Sequence, residues 1–94
     1  MKFVWDAAKN SSNQKKHRVS FETAQQVFDD PLHVSKQDRL ENGEQRWQTI
    51  GLVQSVLLLL VAHTYTEIDG REAVRIISAR KADKTERRIY EQGH

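Results

Sequence analysis

Cationic side chains in this chain are grouped, and each group includes or adjoins a residue able to move a proton. Lys15, Lys16, His17 and Arg18 form one run, and Arg80, Lys81, Lys84, Arg87 and Arg88 form another. Such clusters attract anions, although many are only the solvated faces of helices. A planar guanidinium can hold two phosphate oxygens at once, so Arg80, with Lys81 beside it and Lys84 close behind, is the first candidate for a phosphate contact. Its competing role is to cap an acidic loop. Histidine gives or takes a proton near neutrality, which makes Lys16 with His17 the second candidate; a histidine at a helix end also simply favours the C-terminal dipole. Glu44 and Arg46 are two residues apart, so on a strand they share a face and set a carboxylate beside a guanidinium. There Glu44 is either a catalytic base or half of a cross-strand salt bridge. Arg75 sits inside an apolar strand pattern and needs an anionic partner, Glu44 or a phosphate. Tyr90 can stack on an aromatic ligand, donate a proton, or pack beside Ile89 against a sheet.

Metal chemistry has little to work with. The chain has no cysteine, and His17, His33, His63 and His94 are scattered rather than set at ligand spacing, so neither a metal nor another cofactor is expected. Absence of cysteine also excludes a disulfide framework and suits a reducing cytoplasm. Ninety-four residues make one small domain, residues 1–94, able to bury a modest core. Charged residues reach 30% against 37% hydrophobic, so that core is concentrated in a few segments. A net charge of +2 is too small to imply nucleic-acid binding by itself; the clustering is what points to anions. The N-terminus has no apolar stretch of signal-peptide type before Asp6, and the Val56–Ala62 run is too short to span a bilayer.

The elements that must position these residues are legible from periodicity. Lys2–Trp5 reads as a short strand, and Asp6 as the N-cap of a helix from Ala7 to His17. That helix is mostly polar and is expected to present Lys9, Asn13 and Lys16 outward or across a groove. Ser20 caps a second helix whose Phe21, Ala24, Val27 and Phe28 face the core, and Asp29-Asp30-Pro31 ends it. Strands follow over Leu32–Asp38, Glu44–Val53, Val56–Thr66 and Val74–Arg80. Arg39–Gly43 and Asp69-Gly70 are the hairpin connections. Leu57–Val61 is hydrophobic at every position, as in a strand covered on both faces. Asp83-Lys84-Thr85-Glu86 has capping-box spacing and starts the last helix. The order predicts an α+β domain: a mainly antiparallel four- to five-stranded sheet with two N-terminal helices and one C-terminal helix.

Arg75-Ile76-Ile77-Ser78-Ala79-Arg80, followed by Glu86-Arg87 and Tyr90, resembles the C-terminal signature of BrnT-type toxins, the ribonuclease half of BrnT/BrnA toxin–antitoxin pairs. Trp5-Asp6 with Lys9, Asn13 with Lys16-His17, Val19–Ala24, Val27-Phe28 and Asp30-Pro31 match the same family's N-terminal half. Asp38, Glu44–Arg46 and Ile50-Gly51 fall between them in order. The likeness covers nearly the whole chain. It implies a RelE-like fold and an endoribonuclease that inhibits translation and growth. Joined to the reading of the residues, it leads to a metal-independent route with catalytic roles expected for Lys16, His17, Glu44, Arg46 and Arg80 and RNA contacts at Arg75, Lys81, Lys84 and Tyr90. It also implies a cognate BrnA-type antitoxin of ribbon-helix-helix type, operator DNA being met only through that antitoxin. Arg18 departs from the pattern, standing where a glycine is common. Other readings are a catalytically silent module that binds RNA or antitoxin in operon autoregulation, and a direct DNA-binding regulator. Against the last, there is no recognition-helix pattern.

Overall fold

The computed structural model describes residues 1–93, so His94 lies outside the described residues. The elements are β1 (Lys2–Val4), α1 (Ala7–His17), α2 (Phe21–Ala24) running into a 3₁₀ turn (Gln25–Asp29), β2 (Val34–Glu41), β3 (Glu44–Val53), β4 (Leu57–Ile68), β5 (Arg71–Lys81) and α3 (Lys84–Gln92). The sheet order is β1-β5-β4-β3-β2, antiparallel except for β1 against β5. This is the expected α+β architecture, with its fifth strand parallel. Several boundaries differ from the sequence reading: β1 stops at Val4 and β2 begins only at Val34, not Leu32. β2 continues through Leu40 and Glu41 past a bulge after Gln37, so the hairpin turn is only Asn42-Gly43, both at positive φ. Val56 belongs to the turn before β4 and is 83% exposed, and β4 and β5 run longer at their shared hairpin.

β4 is covered on both faces. Leu59 and Val61 join Val53, Val74, Ile76 and Ala79 beneath Val19, Phe21, Ala24 and Val27 of the N-terminal helical segments. Leu58 and Leu60 turn the other way and, with Ile50, are covered by Ile89 and Tyr90 of α3. Ile76 and Ala79 are three apart, which strict alternation would place on opposite faces. A bulge resolves this: Ala62 pairs with Ser78 and His63 with Ile76, leaving Ile77 as the extra residue.

α1 is held by amides rather than by an apolar stripe, and Asn13, expected outward or across a groove, borders the α1–β5 groove and ties the helix to β5. Asn13 is buried; its Nδ2 donates to the carbonyls of Ala79 (2.8 Å) and Val19 (2.9 Å), and its Oδ1 accepts from the Ala79 amide at 3.1 Å. β1 pairs with β5 only as far as Arg75. Beyond it, one side-chain amide stands in for a neighbouring strand. Asn10 does similar work, accepting from the Phe21 amide at 2.8 Å and donating to Glu22 at 3.0 Å. The helix ends at Arg18, whose φ of 60° is the left-handed conformation that glycine adopts freely.

His63 is fully buried in the first layer, between the rings of Phe28 and Tyr65. Its Nε2 shares a 2.7 Å hydrogen bond with Thr49 Oγ1, which shares another with Ser35. Burial, with the charge of His33 adding to it, pushes the His63 pKa down to about 4. The unfolded chain therefore takes up this proton near pH 6.5 and the folded chain only near pH 4. Stability should rise with pH across that window, by up to about 3 kcal/mol. Carboxylates held low in the fold, Asp30 and Glu86, lose their contribution only at lower pH, so the windows separate. Urea unfolding at pH 5 and pH 7 should show the difference in the intact chain and a much smaller one in His63→Leu. An unchanged slope in the variant would assign the effect to another group.

Candidate active site

Two cavities open side by side where β1 ends and the outer edge of β5 is exposed. The first, of about 540 Å³, is lined by Asp6, Lys9, Glu41, Glu44, Arg46 and Arg75, among others. The second, of about 390 Å³, runs between α1 and β5 and is lined by Lys9, Ser12, Lys16, His17, Ile77 and Ser78, with others. Lys9 and Ile77 line both, so the two form one continuous cleft. Five of the residues singled out from the sequence therefore line it: Lys16 and His17 in the second cavity, Glu44, Arg46 and Arg75 in the first. Lys9, expected outward or across a groove but given no role at the site, lines it too, and Ser12 was missed. Their signal was available, because positions 9, 12 and 16 recur at helical spacing on one side of α1.

The arginines in the cleft carry their own counter-charges. Arg46 Nη2 lies 2.5 Å from Glu41 Oε2, and Arg75 Nη2 pairs with Glu44 Oε1. From the sequence Arg75 is interior and takes either Glu44 or a phosphate; the structure pairs it with Glu44, but not from inside the core. Instead β4 lies between their strands, and the guanidinium reaches over it with its side chain 46% exposed. A pair that open to water contributes little to stability, which leaves it free to exchange partners.

Arg80 stands outside both cavities, across the sheet surface towards α3. Its guanidinium makes two hydrogen bonds to Glu86, of 2.7 and 2.8 Å, and a 3.3 Å bond to the Lys81 carbonyl. Glu86 also accepts from the Asp83 amide while Asp83 accepts from Glu86, completing the capping box. The hydrogen bond from Arg80 holds the Glu86 carboxyl below its usual range, and the same bond holds the guanidinium firmly protonated. Lys81 and Lys84 are exposed beside this pair, away from the cleft. Tyr90 packs on the α3 side of the core, and its hydroxyl donates to Asp30 Oδ2 at 2.6 Å. That bond raises its pKa to about 12, which makes it a poor acid. Asp30 also accepts from the amides of Leu32 and Leu52. Partial burial pushes its carboxyl up, but these three bonds outweigh it and hold the pKa low. Among the described residues no group of three histidines and carboxylates is placed to hold a metal ion.

The half-open sheet of this small α+β domain thus borders a cleft of lysines, paired arginines, one histidine and carboxylates. A sequence model of the family described as the ribonuclease toxin, BrnT, of type II toxin–antitoxin systems matches residues 5–86. The chain belongs to that family of ribonuclease toxins, which implies an antitoxin partner. Its fold is also that of the Brucella abortus ribonuclease toxin, BrnT, known from a 1.1 Å crystal structure. The two superpose with a TM-score of 0.62 at 22% identity, over 89% of this chain and 99% of that one. No curated protein sequence matches the chain. No helix among the described residues is long and apolar enough to cross a membrane.

Proposed function

We propose that this chain cuts RNA without a metal, by attack of a ribose 2′-hydroxyl on the adjacent phosphate. The observation that carries this reading is the single cleft holding His17 and Lys16 at one end and Glu44, Arg46 and Arg75 at the other. In such a step the 2′-oxygen bonds to phosphorus and its proton passes to a base, while the P–O5′ bond breaks and the departing oxygen takes a proton from an acid. The products are a 2′,3′-cyclic phosphate and a 5′-hydroxyl. Imidazole and carboxylate are the cleft groups able to exchange those protons, and the cations offset charge gathering on the phosphate. Arg75 and Arg46 reach it by trading their glutamates for phosphate oxygens. Arg80 joins only by releasing Glu86, and Lys81 and Lys84 extend a cationic surface around it.

In a cell, RNA cleavage of this kind stops translation and growth, and the reading places the protein in the cytoplasm. The neutralising partner is a BrnA-type antitoxin of ribbon-helix-helix type, through which the pair would reach operator DNA. Induced expression of the intact chain should arrest growth and generate new RNA 5′-hydroxyl ends. Purified His17→Ala and Glu44→Gln variants, shown to be folded, should each cut at least about a hundredfold more slowly, and Arg80→Ala should lose less. Full activity in both cleft variants would move the site elsewhere. If the intact chain neither cuts nor arrests growth, the cleft is a binding surface and the catalytically silent module is correct.

A further inference from the structure

Not every cation in the cleft offers positive charge to a ligand. Arg46 and Arg75 are paired with Glu41 and Glu44, and Arg80, outside it, is paired twice over with Glu86. These pairs add little net charge, and an arriving phosphate must displace a carboxylate to use them. Lys9 and Lys16 differ: among the described residues, no carboxylate lies within ion-pairing distance of either. Both are exposed and both line the cleft. Seven residues are close to two helical turns, so the two ammonium groups rise from one face of α1, about 10 Å apart along its axis. Ser12 lies between them on the same side and adds a hydroxyl donor. Across from them the Ile77 bulge supplies an apolar wall, and Asn13 fixes helix to strand, so the spacing of the row relative to the sheet is set.

We infer that single-stranded RNA lies with its backbone along α1, its phosphates held by Lys9 and Lys16, and that Lys9 carries the strand from the α1–β5 groove into the basin of Glu44, Arg46 and Arg75. This rests on the RNA-cleaving reading and adds a binding residue to it. Lys9 is the only charged residue common to both halves of the cleft among the described residues. The long-range attraction of the site therefore comes from the helix, whereas the paired arginines act only at contact, once an oxygen has replaced a glutamate.

The test uses the full chain and an RNA oligonucleotide methylated at every 2′-oxygen, which removes the attacking hydroxyl and leaves the phosphates. Binding is followed by fluorescence anisotropy as a function of KCl. Each phosphate contact to single-stranded nucleic acid contributes about 0.7 to the slope of log affinity against log salt. Lys9→Gln keeps a good helix former at an exposed position. It should lower the slope by about 0.7 and weaken binding by a similar factor for oligonucleotides of different sequence. Arg71→Gln, at the distant β4–β5 hairpin, should leave the slope unchanged. An unaltered slope in Lys9→Gln overturns the track while leaving cleavage by the intact chain untouched. Equal losses in both variants overturn it too, because the attraction would then be diffuse. If the intact chain cuts unmodified RNA yet shows no salt-dependent binding of the methylated strand, the track is likewise wrong; if it neither cuts nor binds, the RNA reading itself has failed.

Discussion

Asn13→Ala is expected to remove about 4 kcal/mol of stability, because it leaves three buried backbone groups without partners at once: the Ala79 amide, the Ala79 carbonyl and the Val19 carbonyl. A chain of this size is expected to be stable by roughly 5 to 14 kcal/mol, so the loss is a large share of the whole. The contact also locates the site. α1 has no continuous apolar stripe, and without the amide clamp its Lys9, Lys16 and His17 lose their fixed position against Ile77 and Ser78. Urea unfolding measures the first effect, and hydrogen exchange at the Ala79 amide measures its locality. Asn13→Asp separates hydrogen bonding from shape. It keeps an acceptor for the Ala79 amide but turns a negative oxygen towards two carbonyls, and should destabilise at least as much at pH 7. A loss below about 1 kcal/mol in Asn13→Ala would mean that water satisfies the β5 edge, and α1 would then be positioned by its neighbours.

The same residue shows where reading the sequence stops. Asn13 sits in a polar helix, and its partner at Ala79 is 66 residues away. Nothing local distinguishes an inward amide from a solvated one, so periodicity leaves it outward or across a groove. The Ile77 bulge is hidden for a related reason. Alternation along Val74–Arg80 is a period-two pattern, and one extra residue, visible only in the pairing with β4, shifts every side chain beyond it to the other face. By contrast, the double covering of Leu57–Val61 and the capping box at Asp83 depend on neighbours in sequence, and both stand in the structure as the pattern predicts. The site divides along the same line. Residue type and spacing, with the family resemblance, put forward Lys16, His17, Glu44, Arg46 and Arg75, and these line the cleft. The pairing of Arg80 with Glu86 needed the geometry of a strand turning into a helix, and so did the part played by Lys9.

Gly51→Ala should be the most damaging single-methyl addition, costing about 3 kcal/mol or more. Gly51 lies in β3 opposite Leu59, with Val27 of the 3₁₀ turn resting directly on its backbone. A Cβ there would stand 2.7 Å from both the Val27 Cβ and the Val27 carbonyl oxygen. Backbone atoms cannot swing aside as a long side chain does, so the whole turn must lift. Lifting it strains two further contacts: the Phe28 ring against His63, and the hydrogen bond from the Leu52 amide to Asp30. Gly43→Ala gives the contrasting case. Its Cβ meets open space and only the positive φ resists it, so its cost should stay near 1 kcal/mol. Parallel denaturant titrations of the two variants decide the matter. A Gly51→Ala loss no larger than that of Gly43→Ala would show that the 3₁₀ turn is loosely seated. The turn packs against the face of the sheet opposite Glu44, Arg46 and Arg75. The fraction of Gly51→Ala that remains folded should therefore bind methylated RNA with the salt slope of the intact chain, separating damage to the fold from damage to the cleft.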